Sequence, residues 1–256
     1  MKLFVFQAAM IHTNKALIIP GSPNQEIAAP VPFYLIEHEK GYVLYDTGFN
    51  LETVQDAKKA LPELIYYMYN PEVFEDGYVL NAIKKAGVSP EDIAYCVCSH
   101  LHFDHAGGIG LFPNATYIVQ RQELHYAYVP DPFMQLAYCR TDFDKNVNWL
   151  LLDGWNDNAY DIFGDGKLVI YFTPGHTPGH QSLMVNFKDP IMLTGDACYI
   201  TENLENFTLP SLVCDNSAYI NNLKRLKDMQ KRGVQIMIGH DPDVWATTKK
   251  FPEFYS

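Results

Sequence analysis

Basic residues are scarce in this chain: 19 Lys+Arg stand against 30 Asp+Glu, a net charge of −11. Gripping a phosphate backbone takes Lys/Arg clusters that release counterions, so neither nucleic acid nor an anionic membrane is an expected partner. Cysteine is scarce too. Five, an odd number spread over 256 residues, make no disulfide framework, and a reducing cytoplasm is the expected location. No run approaches the ~20 apolar residues of a membrane helix. Lys2 followed by Leu3-Phe4-Val5-Phe6 mimics the start of a signal peptide, but Gln7, His12, Asn14 and Lys15 interrupt it. The stretch therefore reads as a first β-strand. No low-complexity tract, charge block or Pro/Ser-rich linker divides the sequence, and residues 1–256 are expected to form one domain.

What is present is an ordinary globular composition, 48% hydrophobic and 19% charged, with ample length for a sizeable core. Tyr, Phe and Trp (17, 15 and 3) supply aromatic surface for that core or for an apolar ligand. Alternation and turn residues predict strands at Leu3–Phe6, Val31–Glu37, Tyr42–Asp46, Ala94–Ser99 and Thr116–Val119. Further strands are expected at Leu168–Phe172, Ser182–Phe187, Ile191–Leu193 and Gln235–Ile238. Leu51 to Ala86 reads as helix broken by Pro62 and Pro71, Gln122–Tyr128 as a short helix, and Asn216–Lys231 as an amphipathic helix stopped by Gly233. Strands in two similar groups with helices outside suggest two packed sheets covered by helices.

One stretch dominates the chemistry: Ser99-His100-Leu101-His102-Phe103-Asp104-His105-Ala106-Gly107-Gly108. Four metal-competent side chains fall within six residues, after an apolar strand and before two glycines that let the backbone turn tightly. Imidazole and carboxylate suit Zn²⁺, Mn²⁺, Fe²⁺ or Co²⁺. A polar turn whose histidines cluster by chance is the bland alternative, and the H-x-H-x-D-H order weighs against it. The same grammar recurs: an apolar strand, a glycine, then His176, Asp196 or His240.

His100-x-His102-x-Asp104-His105, with His176, Asp196 and His240 downstream and Tyr45-Asp46-Thr47-Gly48 upstream, resembles the metallo-β-lactamase superfamily over nearly the whole chain. Within it, residues 99–108, Pro174-Gly175-His176-x-Pro178-Gly179-His180, Asp196-x-x-Tyr199 and Gly239-His240-Asp241 look like the quorum-quenching N-acyl homoserine lactonases. The resemblance implies an α/β fold, the αββα sandwich of two mixed sheets flanked by helices, with a two-metal site at one edge. His100, His102 and His176 would hold one ion. Asp104, His105 and His240 would hold the other, with Asp196 and a hydroxide bridging both. The ions would be zinc, with Mn, Fe or Co as alternatives. Asp46 would orient a ligand histidine through its ring N–H. His180 matches a motif position that is not a ligand.

The reaction so implied is opening of the lactone ring of N-acyl homoserine lactones. Two divalent ions lower the pKa of a shared water and supply a nucleophile at neutral pH. Asp104 would shuttle its proton to the departing alkoxide, and Tyr199 would donate to the carbonyl oxygen. In the lactonases the region after Asp-Thr-Gly helps form the acyl pocket and a homodimer interface. Tyr66, Tyr67, Met68 and Tyr69 are therefore substrate-binding candidates, as is Phe103, and a homodimer stays open. Core packing is the plain alternative for each. Cys96, Cys98 and Cys198 read as buried packing residues, and His12, His38 and His125 as surface or satisfied ones. Competing readings are a thioesterase or phosphodiesterase of the same fold, which the sparse Lys/Arg disfavours, and a lactone-binding sensor, which needs no seven-ligand set.

Overall fold

Alternation along the early strands sorts their side chains to two faces, and that sorting builds the layers. The structure is a computed structural model in which residues 1–154 and 159–256 are described. The first sheet contains β1 (Lys2–Asn14), β2 (Glu26–His38), β3 (Gly41–Tyr45), β4 (Pro71–Val73), β5 (Ile93–Val97), β6 (Thr116–Gln120) and β7 (Asn148–Leu152). Their order is β4-β1-β2-β3-β5-β6-β7. It is mixed: β4, β1, β2 and β3 pair antiparallel, whereas β3, β5, β6 and β7 run parallel. The second sheet contains β8 (Ala159–Asp161), β9 (Leu168–Phe172), β10 (Gln181–Val185), β11 (Ile191–Leu193) and β12 (Gln235–Met237), in the order β12-β11-β10-β9-β8. Only its β11–β12 pair is parallel.

Three cores fill the spaces between layers. Leu3, Val5, Val43, Tyr45, Val97 and Ile118 face Leu168, Ile170, Leu183, Val185 and Leu193 between the sheets. The residues between them in sequence, such as Leu44, Cys96, Cys98, Tyr117 and Val119, point the other way, onto Val79, Ala82 and Ile83 of the 79–85 helix. Behind the second sheet, Met184, Met192 and Ile236 receive Tyr219, Leu223 and Leu226 from helix Asn216–Lys231. The expected four-layer order, helix–sheet–sheet–helix, is the observed one.

Several boundaries differ from the sequence expectation, each for a physical reason. β1 runs to Asn14 rather than stopping at Phe6, because His12 and Asn14 stand in alternation with the buried Ile11 and Thr13. β2 starts at Glu26 and passes through Pro30 and Pro32. Along that stretch only β1 flanks it, since pairing with β3 begins at Tyr34, so absent proline N–H groups forfeit nothing on the open side. The 63–69 helix stops just before Pro71, as expected, and Pro71 also begins β4, a three-residue edge strand on β1. β7 and β8 had no sequence expectation: β8 is three residues long and carries a weak pattern. Among the described residues no helix is long and apolar enough to cross a membrane.

Candidate functional site

The parallel strands of the first sheet end together, and the loops that leave them carry the chemistry. Asp46 follows β3 with a left-handed φ of 59°. Its Oδ1 accepts the Ser99 amide (2.7 Å), and its Oδ2 accepts the Ser99 hydroxyl (2.8 Å) and the His105 Nδ1–H (2.9 Å). One carboxylate thus anchors both ends of the His100–His105 loop. Thr47 N and Oγ1 both donate to the His105 carbonyl at 2.9 Å, and Gly107 N donates to Gly48 O at 2.9 Å. The loops meet so closely that a Cβ on Gly107 would sit 2.0 Å from the Asn50 nitrogen. Glycine there is a steric requirement.

Hydrogen-bond partners outside the cluster fix the histidine tautomers. Because the Ser99 hydroxyl is spent on Asp46, its oxygen accepts from His100 Nδ1–H at 2.9 Å. His105 Nδ1 donates to Asp46, His176 Nδ1 to Leu212 O at 3.0 Å, and His240 Nδ1 to Pro30 O at 2.7 Å. A neutral imidazole with Nδ1 protonated leaves Nε2 as a lone pair. Four such lone pairs point inward.

They converge on Asp196, which leaves β11 as His240 leaves β12 and His176 leaves β9. Asp196 Oδ2 lies 3.3 Å from His176 Nε2 and 3.8 Å from His100 Nε2. Its Oδ1 lies 3.0 Å from His240 Nε2 and 3.3 Å from His105 Nε2. His102 Nδ1 joins the first group, 3.1 Å from His176 Nε2, and Asp104 Oδ2 the second, 3.5 Å from His105 Nε2. All seven residues are buried.

So many lone pairs and carboxylate oxygens cannot crowd together in a low-dielectric interior without positive charge among them. Burial, helped by neighbouring imidazoles, holds His100 and His102 well below the usual imidazole value. At His105 and His240 burial is outweighed by Asp104 and Asp196, which hold both above it. Buried His102 Nε2 and His105 Nε2 have no hydrogen-bond partner. Ligand atoms within 4.8 Å of one another group as His100/His102/His176, His100/His105/Asp196 and Asp104/His105/His240. Nitrogen and oxygen donors without thiolate fit a divalent ion such as zinc, manganese, iron or cobalt. The residues present fit metal.

Beside the cluster lies a cavity of about 220 Å³ whose walls include Asp104, Asp196, Tyr199 and His240 and otherwise mostly apolar side chains, with no Lys or Arg. Met68, Tyr69 and Phe103 line it; Tyr66 and Tyr67 do not, and Tyr67 is exposed. The Tyr199 hydroxyl lies 3.2 Å from His176 Nδ1. That nitrogen carries the proton shared with Leu212 O, so the phenol oxygen accepts and its own O–H stays free for the cavity. Burial and the nearby Asp196 keep the phenol protonated. Cys96 and Cys98 pack in the core, and Cys198 is buried behind Asp196. His12 meets Glu72, His38 stacks on Phe163 and meets Asp165, and His125 is exposed.

Glu123 is the site residue that sequence reasoning missed. It is fully buried on the 121–128 helix, and its Oε1 accepts from Leu101 N (3.1 Å) and Tyr138 OH (3.0 Å). Oε2 accepts from Thr177 Oγ1 (2.6 Å) and Gly179 N (3.1 Å). It therefore ties the residue between His100 and His102 to the loop of His176. Its only sequence signal was its phase with buried Ala127, one turn on.

Residues 28–240 match the family model of the metallo-beta-lactamase superfamily. N-acyl homoserine lactonase AttM of Rhizobium radiobacter is 43% identical over 231 residues, 89% of this chain and 88% of that protein. N-acyl homoserine lactonase AiiA of Bacillus thuringiensis subsp. kurstaki is 33% identical over 236 residues, covering 91% and 90%. A solved N-acyl homoserine lactone hydrolase, with N-hexanoyl-L-homoserine bound at its catalytic metal center, superposes with a TM-score of 0.87. That pair is 30% identical, covering 100% of this chain and 99% of the other.

Proposed function

Because the chain belongs to the metallo-β-lactamase superfamily, we propose that it is a metal-dependent hydrolase that opens the lactone ring of N-acyl homoserine lactones. The observation that carries this reading is a carboxylate, Asp196, shared between two histidine clusters at the end of an apolar cavity that holds no cation of its own. A thioester of an anionic carrier or a phosphodiester would want Lys or Arg there; a neutral acyl lactone does not.

His100, His102 and His176 would hold one divalent ion, and Asp104, His105 and His240 a second, with Asp196 common to both. We take zinc as the resident ion. When bound, such ions supply an activated water and polarise an ester carbonyl. The chain's own groups do the rest. Tyr199 donates its free O–H to the carbonyl oxygen, where negative charge grows during attack. Asp104 accepts the attacking water's proton and returns it to the ring oxygen as the C–O bond breaks. The product is an N-acyl homoserine whose new carboxyl ionises at neutral pH. The acyl chain lies along Met68, Tyr69 and Phe103. A cavity of about 150 Å³ takes a benzene, so 220 Å³ suits a medium chain. Longer chains would run out past the exposed Leu64, Phe133 and Leu136.

Residues 1–256 act as one domain in this reading, since each histidine cluster draws on both sheets. The cytoplasm suits the five free cysteines. A second copy would pack on Leu64 and Tyr67 beside the cavity mouth, which sedimentation tests. One experiment tests the whole: a substrate panel on purified protein with metal content measured. Acyl homoserine lactones should outcompete a phosphodiester, S-lactoylglutathione and a β-lactam in kcat/KM, with proton release matching ring opening. A competitor that equals the lactones would overturn the assignment.

A further inference from the structure

His180 shares its motif with His176 and lies beside His100, ring centroids 5.3 Å apart, yet it belongs to none of the ligand groups, and its surroundings define a closed circuit. Its Nε2 lies 3.0 Å from the Asp196 amide nitrogen, so Nε2 must be the lone pair and Nδ1 must carry the proton. Nδ1–H then donates to Thr173 Oγ1 at 2.9 Å, which leaves the Thr173 hydroxyl to donate to Ser182 Oγ at 2.9 Å. The Ser182 hydroxyl donates to Thr194 O at 3.0 Å. The circuit starts on Asp196 and ends two residues earlier on the same loop. Every proton in it has one place to go, and all five residues are buried. Gly195 makes this approach feasible. It sits at φ +51°, and a Cβ there would lie 2.9 Å from His180 Nε2.

We propose that His180 is a positioning residue: a neutral imidazole that accepts the Asp196 amide N–H and so aims the carboxylate shared by the two metal clusters. The short 195–197 turn leaves that amide without a helical partner. Without an acceptor the loop rotates to seek one, and Asp196 Oδ1 and Oδ2 swing out of line with their histidines. His180 cannot bind metal while it does this, because Nε2 holds the amide and Nδ1 is spent on Thr173. The proposal rests on the reading of Asp196 as the shared ligand.

The test begins on the wild type. Imidazole ¹⁵N shifts of labelled protein, metal-free and zinc-loaded, identify the tautomer, with the His180 signal assigned by its loss in His180→Gln. The expected result is a neutral ring protonated at Nδ1 in both states; a proton or zinc on Nε2 overturns the proposal. Two variants then separate acceptor from volume. His180→Gln offers an oxygen to the Asp196 amide, whereas His180→Leu fills the space without one. Loss of an outer hydrogen bond of this kind costs about 10–100-fold in metal affinity. His180→Leu should therefore bind its second Zn²⁺ at least about tenfold more weakly and alter the Co²⁺ absorption bands, with His180→Gln near wild type. Equal behaviour of the two folded variants overturns the positioning role. Should His180→Leu not fold, the wild-type tautomer still decides. A wild type that holds one zinc would instead defeat the two-metal reading, leaving the tautomer result to stand alone.

Discussion

Tyr199 shows how much a single hydroxyl can be asked to do. Its oxygen accepts from His176 Nδ1 and its O–H faces the cavity, so Tyr199→Phe removes one donor and keeps the ring packed between His176 and His240. Losing a lone oxyanion donor costs about 10²–10³ in kcat. Where a metal polarises the same oxygen the loss should be about 10–100-fold, about 1.4–2.7 kcal/mol. Steady-state kinetics at unchanged metal content checks this, and a wild-type rate would return Tyr199 to packing. Away from the site, Asp142 is buried, accepts from Asn50 Nδ2 at 2.7 Å through Oδ1 and leaves Oδ2 without a partner. Burial pushes its pKa up to about 6 from 3.8. The folded form holds this proton more tightly than the unfolded, so the stability it brings is full below about pH 4 and lost as pH rises through about 6. Asp142→Asn removes that slope. In metal-free protein the variant should gain about 2–3 kcal/mol on wild type between pH 4 and 7, read by urea unfolding. A difference constant across that range would show that the carboxyl titrates normally. At this scale the seven candidate ligands were legible because four share one H-x-H-x-D-H run after a strand and the other three each follow a glycine at a strand end. Glu123 and Asp142 were not, because a buried carboxylate is marked by its partners, and those lie far along the chain.

Elements carry the precision of the site. The 121–128 helix places Glu123 against two loops from different sheets, four donors on two oxygens. In Glu123→Gln an amide NH₂ replaces one oxygen. The Tyr138 and Thr177 hydroxyls can turn to accept it, but a backbone N–H of Leu101 or Gly179 cannot. One unsatisfied buried donor, with the charge lost as well, should destabilise metal-free protein by about 2–4 kcal/mol. Urea denaturation checks it; a change below about 0.5 kcal/mol would show the loops hold without the clamp. Alternation revealed the half-buried strands, whose Val, Ile and Tyr positions divide between two cores. Strand length was hidden wherever pairing rather than pattern decides it. The strand expected from Val31 in fact begins at Glu26, before Pro30, because β1 runs beside it there. Pro71–Val73 becomes strand for the same reason.

Across the whole molecule the site is a staple between sheets: residues 100–105 leave the first, and His176, Asp196 and His240 leave the second. An ion bound there opposes separation of the layers. Metal at about 1,000 times its Kd contributes about 4 kcal/mol to the folded state. For a chain of this size that is about 10 °C in melting temperature. Chelation should lower the melting temperature by about that much, with Zn²⁺ restoring it; an unchanged midpoint would mean that the sheets ignore the ion. The closure of the chain on itself adds a matter of timing. His240 is held by Pro30 O across 210 positions, and Tyr255 pairs with Leu3. A chain growing from its amino terminus makes the His100–His105 segment well before His240. Until then Asp196 lacks its nearest imidazole, and the nascent chain holds only part of the cluster. The seven side chains can therefore meet only after residue 240 has been made, so any ion they hold together is one that the folded chain takes up rather than its growing front.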